Sequence, residues 1–254
     1  MISDKFYNEG YLDVFKIESG NALLELQKKI YLLTKDKLID HDLNESIDTK
    51  LRLPFKEIPE KIFWSFFMNE INSSQELDNL IESKPIYEAF KKVFNEPCRF
   101  DISAFRARLP DQKRVIYDWH QDEGTWFLSK KKLNNKLSAT LWFSINGSNY
   151  NNSIHILKKS HKKKLLNHKF VDGQGYFSAD LKEQINENDI YKVKTEPSEA
   201  VLFHPLTLHR SVSEVNVINM QPRYSVDIRF FEKKGNLKYK TNLIFKIKKF
   251  FKSL

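Results

Sequence analysis

The spacing of apolar residues divides the chain into a helical first part and a strand-rich second part. Between residues 20 and 38, leucines and isoleucines recur at roughly helical spacing and alternate with lysines, which predicts an amphipathic helix. Local start and stop signals predict further helices at residues 4–10, 61–69 and 76–94 and a strand at residues 11–15. No group of chemistry-bearing side chains comes together here, so we interpret residues 1–97 as mostly helical support.

Alternation of polar and apolar residues begins near Cys98, with polar loops between the strand-like segments. Residues 137–145 give the strongest strand pattern, and the polar loop at residues 146–152 ends it. Together with the preceding helices, this pattern predicts a mainly β fold with added helices. A chain of 254 residues can form one large domain or two small ones. We favour a single domain over residues 1–235, with its β core in residues 98–235.

Composition narrows the class of protein. The hydrophobic fraction is 41%, and no run of eighteen apolar residues is present that could span a bilayer. The first residues lack the basic, apolar and small-residue succession of a signal peptide. The single cysteine, Cys98, can form no internal disulfide. These features predict a soluble, cytoplasmic protein.

The formal net charge of +9 raises the question of a polyanionic partner. The lysines concentrate at residues 158–164 and in the tail from residue 238 to residue 252. No helix-turn-helix, zinc-finger or RNA-recognition signature accompanies them, so we interpret both clusters as solvated surface and expect no nucleic-acid partner. Binding of a polyanion stays open as the alternative.

The main candidate for chemistry is the pair His120 and Asp122, which lies at an apparent strand end. Residues two apart on a strand share a face, so both side chains can bind one ion. Two imidazoles and one carboxylate arranged facially are typical of a non-haem Fe(II) site. The third ligand is expected between residues 201 and 211, where we favour His209 and His204 is the alternative. By itself, a His-x-Asp pair also fits an ordinary surface turn. Two other histidines are interpreted as core or pocket-rim residues: His155 and His161.

Two arginines share one face of a predicted strand that leads towards the metal motif. Arg106 and Arg108 alternate with apolar residues, and an antiparallel neighbour of the His120 strand would let them line the pocket. Arginines there would favour an anionic group on the substrate. The alternative is a pair of exposed, salt-bridging side chains. Residues 222–230 also alternate, and their polar face could bind a carboxylate.

Six segments form a series along the chain: residues 6–14 (FYNEGYLDV), 119–122 (WHQD), 141–146 (LWFSIN), 154–162 (IHILKKSHK), 208–211 (LHRS) and 222–225 (PRYS). In this series the chain resembles the phytanoyl-CoA dioxygenase family of Fe(II)- and 2-oxoglutarate-dependent oxygenases, over most of its length. The resemblance implies a double-stranded β-helix, a jelly-roll or cupin-like core, with the N-terminal helices packed against it. The chain differs from the family pattern at Lys159, where a glycine is usual, and in the loop at residues 146–152, which lacks the usual acidic residues.

The resemblance also assigns roles to individual residues. It selects His209 over His204, so that His120, Asp122 and His209 would ligate Fe(II). Arg223 and Ser225 would hold the distal carboxylate of 2-oxoglutarate. Two further candidates complete the site: Trp142 as a co-substrate contact and Gln121 as a substrate contact, beside Arg106 and Arg108.

The implied reaction consumes O2 and 2-oxoglutarate, releases succinate and CO2, and hydroxylates a small, anionic or carrier-linked molecule. Hydroxylation is the expected outcome because Asp122 occupies the position that a halide would need. Two other functions are considered: a binding protein on the same scaffold without catalysis, and an oxidative demethylase that acts on nucleic acid. The second lacks an obvious aromatic platform for a flipped base.

The C-terminal tail, residues 236–254, predicts a basic amphipathic helix. Its apolar residues other than Phe245 fall on one helical face, and lysines occupy much of the rest. Such a helix can lie in an anionic membrane surface. Alternatively, its apolar stripe packs on the barrel or on a second copy of the chain. The sequence therefore predicts peripheral membrane contact or self-association through this tail.

Overall fold

The strands that the structure describes form two antiparallel sheets that face each other, and a separate two-stranded pair. The computed structural model describes residues 2–39, 42–57, 59–94, 99–108, 117–124, 137–171, 176–212 and 221–231. The strands are β1 (Phe15–Lys16), β2 (Arg99–Arg108), β3 (Leu137–Ser144), β4 (Ile154–Leu157), β5 (His168–Val171), β6 (Tyr176–Ala179), β7 (Ile190–Lys192), β8 (Glu199–Phe203), β9 (His209–Ser211) and β10 (Arg223–Phe231). The larger sheet has the order β1-β8-β3-β10-β2, the smaller sheet has the order β7-β4-β9, and β5 pairs with β6.

Apart from the short strand β1, the described strands follow a series of α-helices, as the apolar spacing predicts. They are α1 (Ile2–Glu9), α2 (Gly20–Thr34), α3 (Ile47–Lys50), α4 (Lys61–Asn72), α5 (Gln75–Ile81) and α6 (Lys84–Lys91). In α2, Leu23, Leu26 and Ile30 are buried at a spacing of three or four residues, whereas Leu32 is exposed. The apolar stripe is therefore narrower than the leucine content of this segment suggests.

One face of the larger sheet packs against these helices. Alternate residues of β10, such as Tyr224, Val226 and Ile228, share a buried cluster with Phe67 of α4 and Phe90 of α6. Because successive side chains of a strand point to opposite faces, the residues between them lie on the other face. Arg223, Ser225, Asp227 and Arg229 are therefore on the interior side of β10.

The interior faces of the two sheets meet in a second buried cluster. Trp142, Val201 and Phe203 of the larger sheet contact Ile154 and Ile156 of the smaller sheet. Two facing antiparallel sheets with helices on one outer side are the predicted architecture. The interior between the sheets is where the polar residues of β10 lie.

Two local predictions are wrong. A single helix over residues 76–94 is expected, but α5 ends at Ile81 and α6 starts at Lys84, with Pro85 in its first turn. Proline lacks an N–H and clashes with the preceding turn inside a helix, but it fits the first turn of a new one. A strand over residues 11–15 is also expected, but Tyr11 forms an isolated bridge with Phe203, and the strand β1 starts only at Phe15.

Gly10 attaches the end of α1 to the loop that leads to β9. Its φ is +88°, and its carbonyl accepts hydrogen bonds from the His204 N–H (2.8 Å) and the Thr207 Oγ1 (2.7 Å). A Cβ on this residue would lie 2.5 Å from His161 Nδ1 and 2.6 Å from Thr207 Oγ1. Both the backbone conformation and the packing therefore require glycine at this position.

Gly10→Ala is expected to lower the free energy of unfolding by about 2–4 kcal/mol, because it adds steric overlap to the strain of a positive φ. Gly20→Ala is the matched control, since its φ is +53° but nothing lies within 4 Å of the added Cβ. Gly20→Ala should lower the free energy of unfolding only by the strain of the positive φ, about 1–2 kcal/mol. Denaturant unfolding of both variants measures the difference. Equal losses would contradict the packing role of Gly10.

Within the described residues, no helix combines the length and apolar character needed to cross a bilayer. The tail at residues 236–254 lies outside the described residues. Membrane contact or self-association through it therefore stays a prediction.

Candidate metal and co-substrate site

Three side chains predicted as metal ligands come together in the interior. The ligand atoms of His120, Asp122 and His209 all lie within 4.8 Å of one another, and all three residues are buried. The two imidazole rings have centroids 4.2 Å apart. His204, the alternative third ligand, is not part of this cluster. The predicted set is therefore brought together as a group that can hold one metal ion.

The backbone places the two histidines by pairing their segments. The N–H of each residue donates to the carbonyl of the other, at 3.0 Å in both directions. Asp122 is positioned differently from the prediction, because it starts a helical turn instead of continuing a strand. The Glu123 N–H donates to the Pro205 carbonyl at 3.1 Å and holds this turn against the loop before β9. A bridge followed by a turn, rather than one strand face, therefore brings the ligands together.

Hydrogen bonds orient both imidazoles for metal binding. The Nδ1 of His120 lies 2.7 Å from the Asp118 carbonyl, and the Nδ1 of His209 lies 3.0 Å from the Thr207 carbonyl. A carbonyl only accepts, so each Nδ1 carries a hydrogen and each Nε2 keeps its lone pair for a metal. Burial and the neighbouring His209 lower the pKa of His120 to about 3. His120 is therefore neutral at physiological pH, as a ligand must be.

The carboxylate of Asp122 is held at both oxygens. Its Oδ2 accepts from Thr140 Oγ1 at 2.5 Å, and its Oδ1 accepts from Arg229 Nη2 at 2.9 Å. Burial alone would raise the pKa of Asp122, but the Arg229 guanidinium and the two imidazoles outweigh it and hold the pKa well below its usual range. The group is therefore ionised, and its orientation is fixed. These donors suit a divalent ion such as Fe(II).

A second set of buried polar groups on the same interior face lacks partners. Arg223 Nε, Ser225 Oγ and Ser144 Oγ have no hydrogen-bond partner within the part of the chain that the structure describes. Ser225 and Ser144 are directly opposite each other on neighbouring strands. The Arg223 guanidinium lies 5.4 Å from the ring centroid of Trp142, and burial lowers the pKa of Arg223 to about 9. Arg223 is still charged at neutral pH.

Buried polar groups without partners are costly, so such a set is expected to bind a polar ligand. A guanidinium flanked by hydroxyl groups matches a carboxylate. The residues that were predicted to bind the distal carboxylate of 2-oxoglutarate, Arg223 and Ser225, therefore fit that group. Trp142 borders the same place.

Arg106 and Arg108 lie on the interior side, but beside a different strand from the one expected. They belong to β2, which pairs with β10, so that Arg108 is opposite Arg223 and Arg106 is opposite Ser225. The expected pairing of this strand with the His120 segment is wrong. Arg108 is fully buried, and burial lowers its pKa to about 10.

Arg106 is bound at both ends of its guanidinium. Its Nε donates to Asp227 Oδ2 at 3.2 Å, and its Nη1 donates to the Tyr117 hydroxyl at 3.0 Å. The alternative of two fully exposed, salt-bridging arginines is therefore excluded. Contact of Arg106 or Arg108 with a substrate stays a prediction.

Gln121 has a different environment from the one expected of a substrate contact. It is fully buried, and its Nε2 donates to the carbonyls of Lys164 (2.8 Å) and Leu206 (2.7 Å). Its Oε1 accepts from the Leu166 N–H at 2.7 Å. These hydrogen bonds show that Gln121 joins two loops beside the metal cluster, and its contact with a substrate stays a prediction.

Three other histidines that the structure describes have structural contacts. His204 accepts a hydrogen bond from the Leu206 N–H at Nδ1 (3.1 Å), and its ring packs near Phe6 and His161. His161 Nε2 donates to the Tyr7 carbonyl at 2.9 Å. His155 is buried on the smaller sheet, where its Nδ1 accepts from Arg210 at 3.3 Å. Their interpretation as core or rim residues agrees with these contacts.

Three residues of the site are missing from the sequence-based prediction: Thr140, Asp227 and Arg229. Asp227 and Arg229 continue the polar alternation that begins at Arg223, which is the signal that could have found them. Thr140 gives no such signal, because its role depends on which strand lies next to β10.

The family model described as Phytanoyl-CoA dioxygenase (PhyH) matches residues 73–216, more than half of the chain. No curated protein matches. Solved structures that are similar include the non-haem monooxygenase ThoJ in its apo form, with a TM-score of 0.59, 14% identity, and coverage of 91% of this chain and 77% of ThoJ. EvdO2 from Micromonospora carbonacea var. aurantiaca, complexed with 2-oxoglutarate, has a TM-score of 0.56 and 13% identity, and the match covers 94% of this chain and 92% of EvdO2.

A third similar structure is the epimerase SnoN in complex with Fe3+ and α-ketoglutarate, with a TM-score of 0.56, 12% identity, and coverage of 91% of this chain and 82% of SnoN. At identities this low, structural similarity shows the fold alone, and it confirms the predicted jelly-roll core. Fe(II) and 2-oxoglutarate, the cofactors that the family resemblance implies, suit the polar groups described above. The match of the family model to more than half of this chain shows that the chain belongs to the phytanoyl-CoA dioxygenase family of Fe(II)- and 2-oxoglutarate-dependent oxygenases.

Proposed function

We propose that the protein hydroxylates a small anionic molecule, with consumption of O2 and 2-oxoglutarate and release of succinate and CO2. The observation that carries this proposal is the buried cluster of His120, Asp122 and His209 on the same interior as the unsatisfied groups around Arg223. One set suits a divalent metal, and the other suits a carboxylate. Together they match the two requirements of this chemistry.

Each residue has a role in the proposed reaction. His120, Asp122 and His209 would hold Fe(II), and Arg223 with Ser225 would bind the far carboxylate of 2-oxoglutarate. The bound metal and co-substrate supply an oxidant that can attack a C–H bond. Trp142, buried beside Arg223, helps exclude water from this end of the interior. The protein otherwise has to orient the substrate carbon towards the metal.

The charges of the interior favour an anionic substrate. Among the described residues, the interior side of the larger sheet carries four arginines, against two aspartates in contact with them: Arg106, Arg108, Arg223 and Arg229, with Asp122 and Asp227. The two positive charges of Fe(II) and the two negative charges of 2-oxoglutarate cancel. An excess of positive charge therefore persists when both are bound, and a carboxylate or phosphate on the substrate would reduce it.

Substrate-stimulated turnover tests both parts of the proposal. Succinate formation is measured with Fe(II), 2-oxoglutarate and O2 in the presence of carboxylates, phosphates and carrier-linked acids. The same compounds as neutral esters or amides are the matched controls. We expect stimulation by anionic compounds and little by their neutral forms, together with a product that has gained one oxygen atom.

Three results would contradict the proposal. Stimulation by the neutral forms alone would contradict an anionic substrate. Stimulation by polynucleotides alone would favour the nucleic-acid demethylase. A product with inverted stereochemistry and no added oxygen would show that the reaction is epimerisation and not hydroxylation.

A further inference from the structure

The outer face of the smaller sheet carries three polar side chains in one row. Lys192 on β7 is directly opposite His155 on β4, and His155 is directly opposite Arg210 on β9. Side chains in such positions lie about 5 Å apart at their Cβ atoms. Ile154 and Ile156, the neighbours of His155 in the strand, pack in the interior cluster. The row therefore lies on the side of the sheet that faces away from the metal cluster.

We propose that Lys192, His155 and Arg210 form a binding site for a phosphate group, separate from the metal site. These three residues are called the outer row below. The inference goes beyond the proposed function and does not rest on it, because the outer row lies outside the interior in which metal and co-substrate would bind.

His155 contributes a buried N–H donor. The residue is 7% exposed, and its Nδ1 lies 3.3 Å from Arg210 Nη2. A guanidinium only donates, so Nδ1 accepts and Nε2 carries the hydrogen of the neutral ring. The Nε2 atom is buried and has no hydrogen-bond partner in the described part of the chain. A buried donor without a partner is costly, so this position favours a ligand that accepts a hydrogen bond.

Two positive charges flank this donor. The guanidinium of Arg210 lies 4.8 Å from the ring centroid of Trp119, and this contact and the bond to His155 restrict its position. Lys192 is exposed, and neither cation forms a salt bridge with another residue that the structure describes. The exposed Glu187 affects the pKa of His155 less than either cation does. The outer row is therefore a positively charged place on the surface.

The protonation state of His155 keeps the donor in this form. Burial, followed by the charges of Arg210 and Lys192, lowers the pKa of His155 to about 4. The ring is therefore neutral at physiological pH, with one hydrogen on Nε2 and a lone pair on Nδ1 that accepts from Arg210.

A phosphate group fits both the charge and the donors of the outer row. The charges of Arg210 and Lys192 balance a phosphate dianion, and the His155 N–H supplies a donor to a further oxygen. A phosphate group presents three strong acceptor oxygens, whereas a carboxylate presents two oxygens and one charge. Three donors on three neighbouring strands therefore match phosphate better than carboxylate.

Calorimetric titration of inorganic phosphate into the whole chain, without added metal, tests this site. We expect one site with a Kd of about 1 mM or lower. Lys192→Met removes one charge of the outer row and should weaken phosphate binding about tenfold or more. His155→Phe keeps a ring but removes the N–H, and it should weaken binding by a similar factor. Because Lys192 is exposed, its variant keeps the test valid if His155→Phe does not fold.

Two control variants locate the bound phosphate. Lys16→Met removes an exposed lysine from the strand β1, and Arg223→Ala removes a buried cation from the interior side of β10. Both should keep the phosphate affinity within about threefold of the wild type, because neither residue belongs to the outer row. If Arg223→Ala weakens phosphate binding and the variants of Lys192 and His155 do not, phosphate binds in the interior and the inference is wrong.

Glycerol 3-phosphate, titrated in the same way, distinguishes two sources of the phosphate group. Binding tighter than that of inorganic phosphate assigns the outer row to a phosphorylated molecule, and weaker binding assigns it to free phosphate. Acetate, with a single charge, should bind about tenfold more weakly than inorganic phosphate. Failure of the wild type to bind either phosphate compound would overturn the inference, and so would acetate binding as tight as that of phosphate. No metal, substrate or turnover enters these titrations, so their outcome is separable from that of the proposed function.

Discussion

His209→Ala is expected to abolish turnover and metal binding. The variant loses one of three buried ligands, and the described part of the chain has no other histidine in the cluster with His120 and Asp122. Changes in groups that merely orient a ligand cost about 10–100-fold in metal affinity, so loss of the ligand itself should cost more. Succinate formation should fall to the background rate, and Mn(II) titration should show a loss above about 100-fold.

His204→Ala is the matched control, because both histidines lie in the same segment. The His204 ring packs near Phe6 and His161 and accepts a hydrogen bond from Leu206. Its removal should lower thermal stability but leave Mn(II) affinity and turnover close to those of the wild type. The opposite result, with metal lost from His204→Ala and kept in His209→Ala, would show that the third ligand is assigned wrongly.

The sequence predicts the larger features of the fold because burial has a clear period in both parts of the chain. The strand alternation of β10 and the leucine spacing of α2 identify elements that the structure contains. The break between α5 and α6 is less visible, since Pro85 fits the first turn of a helix as well as it interrupts one. Periodicity fixes which face is buried, but it leaves the end of an element to local chemistry.

The site is predictable only in part. The side chains of His120 and Asp122 lie together as the sequence predicts, although a bridge and a helical turn bring them together instead of a continuous strand. Arg229 donates to Asp122 across a separation of 107 residues, and Thr140 does so from another strand. Such contacts depend on strand order and register. The sequence alone gives neither, so the partners of the carboxylate become visible only in the structure.

Arg223→Ala is expected to raise the 2-oxoglutarate requirement steeply. Arg223 is 3% exposed and charged at neutral pH, and its Nε has no partner within the described residues. Loss of one partner of a buried charge pair costs about 2–5 kcal/mol, which corresponds to a loss of affinity of about 30-fold or more. Calorimetry with the Mn(II)-loaded protein measures this affinity without a substrate. Mn(II) binding in the absence of 2-oxoglutarate should change little.

Two controls assign the effect to the distal carboxylate. Arg52→Ala removes a partly exposed arginine that pairs with Glu196 and should leave 2-oxoglutarate affinity unchanged. The second control replaces 2-oxoglutarate by 2-oxobutyrate, which lacks the distal carboxylate but can still chelate the metal. The wild type should strongly prefer 2-oxoglutarate, whereas Arg223→Ala should bind the two compounds about equally, because the group that tells them apart is gone. If the variant keeps the wild-type preference, other residues recognise the distal carboxylate, and the assignment of Arg223 to the co-substrate site is wrong.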